Sequence, residues 1–145
     1  MKDDGKEELD YRVVKCFVWD PEQKRILLLL RGAKAPTRPL QWDMPGGILE
    51  QGEDPMAAVY REIMEETSLK IKDIEKICSS PVRVVKVDSS VHQTEWTHYQ
   101  ATATSDYVKI SWEHDEYKWV VPEEFLDHIE YEPQREAFSE LMGEK

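Results

Sequence analysis

Basic residues are scarce in this sequence: 19 Lys and Arg stand against 30 Asp and Glu, a net charge of −11. That balance excludes the broad, phosphate-driven hold on nucleic acid that a basic surface provides, so no extended nucleic-acid binding is expected. A phosphate-bearing small molecule is not excluded, because divalent cations can stand between two negative partners. Long apolar runs are missing too. The longest, Ile26 to Leu30, falls far short of a membrane span, and no membrane association is expected. The first ten residues are mostly charged and hold no apolar stretch of the signal-peptide kind. They read as a charged, flexible tail (1–10) ahead of a single domain over 11–145. Cysteine is nearly absent. Cys16 and Cys78 lie in apolar, strand-like segments without metal-type spacing. They read as buried thiols of a reducing compartment, with a disulfide as the alternative, and the expected location is cytoplasmic.

What is present alternates between two periodicities. Tyr11–Trp19 and Arg25–Arg31 read as strands joined by the turn Asp20–Lys24, which makes a hairpin. Gly32–Leu40 is a loop with two prolines, and Gln41–Leu49 is a short strand interrupted by Pro45-Gly46-Gly47. A helix begins after Asp54, a natural N-cap followed by Pro55 at the first helical position. Met56, Val59, Tyr60, Ile63, Met64 and Thr67 fall on one broad apolar face of it. Ile71–Cys78, Arg83–Val87, Glu95–Thr104 and Tyr117–Val121 return to period two, and short helices are predicted over 123–129 and 134–142. Strands, a central helix, more strands and terminal helices predict an α+β domain, a mixed sheet covered by helices on both faces in an α/β/α sandwich.

The central helix carries Glu62, Glu65 and Glu66. At 100° per residue, with Glu62 at zero, Glu66 falls at about 40° and Glu65 at about −60°, so three carboxylates share one side. Like charges so placed repel by a few tenths of a kcal/mol each. An acidic helix face in so acidic a chain is commonly just solvated, but hard divalent cations ask for several carboxylate oxygens on a rigid element.

The surroundings favour the second reading. Gly47 is followed after five residues by Glu53, and after seven more by Arg61-Glu62-Ile63-Met64-Glu65-Glu66-Thr67-Ser68-Leu69. This run closely resembles the Nudix box, matching eight of its nine defined positions, with Ser68 where the family has Gly. Ser at a left-handed helix end costs about 1 kcal/mol, a cost to helix termination that leaves the carboxylates alone. The wider resemblance, from the first hairpin to the Tyr117-Lys118-Trp119 strand, covers most of the chain.

The resemblance implies Mg²⁺ as cofactor, with Mn²⁺ able to substitute. Glu62, Glu65 and Glu66 match the metal-binding glutamates, Glu53 lies near the metals, and the carbonyl of Gly46 is a candidate ligand. Gly46-Gly47 also lets the backbone approach the metal and substrate. Arg61 is expected to form an ion pair that fixes a carboxylate, Glu53 being the first choice. Glu113 is the chosen general base, with Glu116 as rival and a protonated His114 as substitute. Arg31 is a candidate phosphate contact. Trp42 and Trp96 could stack on a base, although strand aromatics are more often core.

The implied activity is a nucleotide pyrophosphohydrolase, cutting a phosphoanhydride bond of a nucleoside diphosphate linked to another moiety. The stretch Val84-Val85-Lys86-Val87 lacks the Pro or Tyr markers of ADP-ribose and dinucleoside polyphosphate enzymes in the family. A nucleoside triphosphate, including oxidised ones, or a nucleotide sugar remains as the small-molecule partner of a monomer or homodimer. The alternatives are a non-catalytic nucleotide-sensing module and a purely structural acidic interaction domain.

Overall fold

The computed structural model describes residues 10–80, 83–87 and 90–143. The expected tail therefore lies outside the described residues except for Asp10. That residue exchanges hydrogen bonds with Gln93, its N–H to the Gln93 carbonyl at 2.9 Å and its carboxylate accepting the Gln93 N–H at 2.7 Å.

Eight strands form one mixed sheet: β1 (Tyr11–Trp19), β2 (Ile26–Arg31), β3 (Trp42–Asp43), β4 (Gly46–Ile48), β5 (Ile71–Ser79), β6 (Arg83–Val87), β7 (Ser90–Ala103) and β8 (His114–Val120). Three helices accompany them: α1 (Pro55–Thr67), α2 (Pro122–His128) and α3 (Glu132–Leu141). The centre is the parallel pair β1–β7, in register from Tyr11↔Thr94 to Trp19↔Thr102. On its other side β1 meets β4 antiparallel at Val13–Lys15, then turns into β2 at Trp19↔Ile26. β2 in turn holds β3 on one flank and β8 on the other.

Alternation along β1 and β2 builds two cores. Val14, Cys16, Val18, Leu27 and Leu29 pack under α1 with Ala58, Val59 and Ile63. Phe17, Ile26 and Leu28 face α2 and α3, where they meet Phe125, Ile129, Ala137 and Phe138. The expected sandwich is what forms. The two cysteines are free and lie on opposite cores, Cys16 under α1 and Cys78 beside α3, which removes the disulfide alternative. No helix among the described residues is long and apolar enough to cross a membrane.

Two expectations need correction. β7 starts at Ser90 and β8 at His114, earlier than alternation indicated, because partner strands order the polar residues that precede the apolar ones. The apolar face of α1 is also narrower than its sequence implies. Met56, Tyr60 and Met64 are exposed, while Glu66 joins Ala58, Val59, Ile63 and Thr67 among the buried positions.

Candidate active site

The site forms where α1 crosses the β3–β4 turn. Asp54 caps α1 by accepting the Ala57 N–H at 3.1 Å, with Pro55 in the first turn. Ser68 ends it in the left-handed region at φ 64°, its N–H donating to the Met64 carbonyl, as the missing Gly required. Gly46 at φ 147° lets β4 press against β1, where a β-carbon would lie 2.0 Å from the Val14 carbonyl oxygen.

That close backbone receives two glutamates. Glu66 is 6 % exposed, and its Oε1 accepts the Gly46 N–H at 2.9 Å. The Glu62 carboxylate lies on Gly47, whose β-carbon would stand 2.3 Å from Oε2. Glu65 does not join them. Its side chain is 57 % exposed and pairs with Arg61 one turn back at 3.2 Å, so the three-carboxylate face splits into two inward and one outward. The cause is local: Arg61 reaches Glu65 and Glu62 (3.3 Å) with one nitrogen, while Nε and Nη2 clamp Glu53 at 2.7 and 2.9 Å. The expected Arg61–Glu53 pair is present in this bidentate form, the strongest geometry available to it.

Electrostatics separates these carboxyls further. Burial pushes Glu66 up to about 8, only partly offset by the Lys15 ammonium and the Gly46 N–H. Burial also raises Glu62, against the pull of Arg61, with Glu65 and Glu113 adding to the rise. The Arg61 hydrogen bonds draw Glu53 down. Glu113 precedes β8 on an exposed loop, its carbonyl near Gly32, and its charge is felt at Glu62. Glu116 lies in β8 opposite Leu30. His114 fails as a protonated substitute, because burial and then Lys15 push it down to about 4.

A cation fits this geometry on one ground. Glu66 is a deeply buried carboxylate with no ion-pair partner among the described residues, since Lys15 gives its nitrogen to Asp43 and the Met44 carbonyl. No ready cluster of three acidic, His or Cys ligands exists among the described residues, consistent with Glu65 turning outward. Glu62 and Glu66 are the residues positioned to hold a metal.

Sequence reasoning missed the node beside this site. Asp43 is buried and its Oδ2 takes Lys15 at 3.0 Å, Arg31 at 3.1 Å and Arg38 at 3.3 Å. Its Oδ1 accepts from Gln134 of α3 at 3.1 Å, and Gln134 Oε1 meets His98 Nε2 at 2.6 Å. Burial alone would raise Asp43, but Lys15, Arg38 and Arg31 reverse this and hold it well below the usual carboxylate range. The available signal was Lys15 inside the otherwise apolar run Val13–Val18. Arg31, the candidate phosphate contact, spends its donors on Asp43 and on the carbonyl and hydroxyl of Thr37. Trp96 is buried edge-on to Tyr131, and Trp42 packs beside the α2–α3 core.

Known proteins share this fold. Residues 10–141 match the NUDIX domain. A curated RNA pyrophosphohydrolase of Dinoroseobacter shibae is 25 % identical, covering 98 % of this chain and all of that protein. Among solved structures, a MutT protein from Methanosarcina mazei Go1 aligns with a TM-score of 0.73 at 24 % identity, over 96 % of this chain and 97 % of that one. The NUDIX domain of Shewanella oneidensis NrtR, complexed with ADP ribose, aligns with a TM-score of 0.74 at 18 % identity, over 95 % and 88 %. These two likenesses speak to the fold. With the family match running nearly the whole length of a sheet built around the box residues, this chain belongs to the NUDIX hydrolase family.

Proposed function

We propose that the chain is a divalent-cation-dependent hydrolase that cuts a phosphoanhydride bond in a nucleoside diphosphate linked to another moiety. The observation that carries this is Glu66, a carboxylate buried on the Gly46 N–H without a contacting counter-charge, beside Glu62 on Gly47. Mg²⁺ or Mn²⁺, when bound, supplies positive charge to the diphosphate and acidifies water. Glu62 and Glu66 would hold the cation, with Glu65 turned outward on Arg61. Arg61, clamped on Glu53, keeps the Glu62 carboxylate in place. Glu113, on the exposed loop beside Glu62, takes the proton from the attacking water. Gly46 and Gly47 serve this site by seating Glu66 and Glu62 against the backbone. The products are a nucleoside monophosphate and the remaining phosphorylated portion.

The test is release of phosphate, pyrophosphate or monophosphate with Mg²⁺. The panel comprises nucleoside triphosphates, oxidised nucleotides, nucleotide sugars, ADP-ribose and a 5′-triphosphorylated oligoribonucleotide, the last because a full-length relative is named RNA pyrophosphohydrolase. Turnover of at least one substrate, lowered on the order of 100-fold or more in Glu66→Gln, is expected. Silence across the panel, or a variant as fast as wild type, would overturn the reading and favour a binding module.

A further inference from the structure

Four of the five tryptophans are packed. Trp96 is 4 % exposed, Trp19 and Trp42 lie against the α2–α3 core, and Trp119 lies against the core under α1. Trp112 is 91 % exposed, the highest value among the described large hydrophobic side chains. A single exposed apolar residue is ordinary on a protein surface. Its place in the fold sets this one apart. The Ser111 N–H donates to the Glu66 backbone carbonyl at 3.0 Å, which ties the segment before β8 to the end of α1. Ser111 then opens a tight turn, where the His114 N–H donates to its carbonyl at 3.3 Å and the Glu113 N–H to its hydroxyl at 3.4 Å. His114 pairs with Arg31 at the end of β2. Gly32 follows, and the turn lies close upon it: a β-carbon there would stand 3.3 Å from the Glu113 carbonyl oxygen. Trp112 and Glu113 thus form the tip of a turn anchored on both sides, one residue (about 3.8 Å of chain) from the contact with Glu66. A fixed backbone under an unpartnered ring suits stacking, because little order remains to be lost when a planar ligand lands on it.

We infer that the Trp112 ring stacks on the nucleobase of the substrate and makes the enzyme favour purine over pyrimidine nucleotides. The inference rests on the hydrolase reading above. A nucleotide with its phosphates on a cation at Glu62 and Glu66 is long enough to bring its base to a turn that is hydrogen-bonded to Glu66 itself. The charges around that turn select which part of the ligand rests there. Glu62, Glu65 and Glu113 repel any anionic group that no cation screens, whereas a nucleobase is uncharged and offers a flat π face. Stacking of a base on an aromatic side chain is worth about tenfold or more in affinity, and the larger purine surface gains more than a pyrimidine. Trp112 is therefore a specificity residue beside Glu113, the general base, on one turn: the ring grips the base while its neighbour serves the water.

The test pairs a nucleotide with the same anion lacking its nucleoside. Equilibrium dialysis with Mg²⁺ compares hydrolysis-resistant α,β-methylene adenosine diphosphate with methylenediphosphonate, so that no turnover is needed. Wild type is expected to bind the adenosine analogue about tenfold more tightly than methylenediphosphonate, and severalfold more tightly than the cytidine analogue. Trp112→Ala should lose about tenfold on the adenosine analogue and nothing on methylenediphosphonate, while Trp112→Phe keeps most of the affinity. The adenosine analogue should also quench a component of the wild-type indole emission that Trp112→Phe lacks. In turnover of a purine nucleotide, Trp112→Ala should raise KM far more than it lowers kcat. No advantage of the adenosine analogue over methylenediphosphonate in wild type, equal affinity for the two bases, unchanged affinity in Trp112→Ala, or an equal loss on methylenediphosphonate would overturn the inference. Trp112-dependent binding of the analogue by a wild type that turns over no nucleotide would instead count against the hydrolase reading alone.

Discussion

Two buried carboxylates stand almost side by side in this protein and live in opposite environments. Asp43 gathers Lys15, Arg31 and Arg38 on a single oxygen and is held far below the usual carboxylate range. Glu66, on α1 across the β3–β4 turn, has one backbone N–H and no contacting cation, and burial pushes it up to about 8. Same group, same depth, contrary charge supply. Asp43 is a closed structural knot that ties β1, β2, the 32–41 loop and α3 together. Glu66 is an open place for positive charge, and a hydrolase of phosphoanhydrides needs such a place to be left open in the free protein.

The largest effect should come from breaking the knot. Asp43→Asn leaves three cations around a neutral amide, and a loss of about 3–5 kcal/mol in denaturant unfolding is expected. A loss under 1 kcal/mol would show that the knot is incidental. The same substitution at Glu66 should spare stability and abolish function. Glu66→Gln keeps an acceptor for the Gly46 N–H and replaces a carboxyl that burial already keeps mostly protonated at neutral pH, so the metal-free protein should melt near the wild-type temperature while turnover collapses.

His98 tests the far end of the knot, where it meets Gln134. Burial pushes it down to about 4 from an unfolded value near 6.5, although the Gln134 hydrogen bond opposes this. The folded state therefore refuses a proton that the unfolded chain accepts. Its contribution leaves stability intact above about pH 6.5, erodes it as the pH falls toward 4, and levels off below, by up to about 3 kcal/mol. His98→Asn should flatten that limb of the stability–pH curve, and an unchanged limb would move the acid sensitivity elsewhere.

Arg61→Lys removes the fork that clamps Glu53. Activity is expected to fall about 10–100-fold. Stability should fall by no more than about 1 kcal/mol, because the pair is only partly buried. Equal losses in both would make Arg61 a merely structural residue. The smallest effect belongs to the end of α1. Ser68→Gly should stabilise by up to about 1 kcal/mol with kcat nearly unchanged, checked by thermal unfolding and steady-state rates.

The comparison also explains what could be read in advance. The sandwich, the capped helix, the Gly-Gly turn and the Arg61–Glu53 pair depend on periodicity and short spacings, which a sequence displays directly. Helical angles placed Glu65 with Glu62 and Glu66, but an angle carries no account of Arg61 competing for it at i+4. Met56, Tyr60 and Met64 look like core on a helical wheel. They are exposed because α1 turns Ala58, Val59, Ile63 and Glu66 inward instead. The Asp43 knot joins residues up to 91 positions apart, which no local pattern can reveal. Only Lys15, a lone cation in an apolar strand, gave it away.

If a divalent cation supplies the counter-charge that Glu66 lacks, its binding must depend on Glu66. Calorimetric titration of Mn²⁺ into the nucleotide-free protein tests this most directly. Saturable binding by wild type, weakened at least tenfold in Glu66→Gln, is the predicted result; equal affinity in the two proteins, or no saturable binding in wild type, would contradict it.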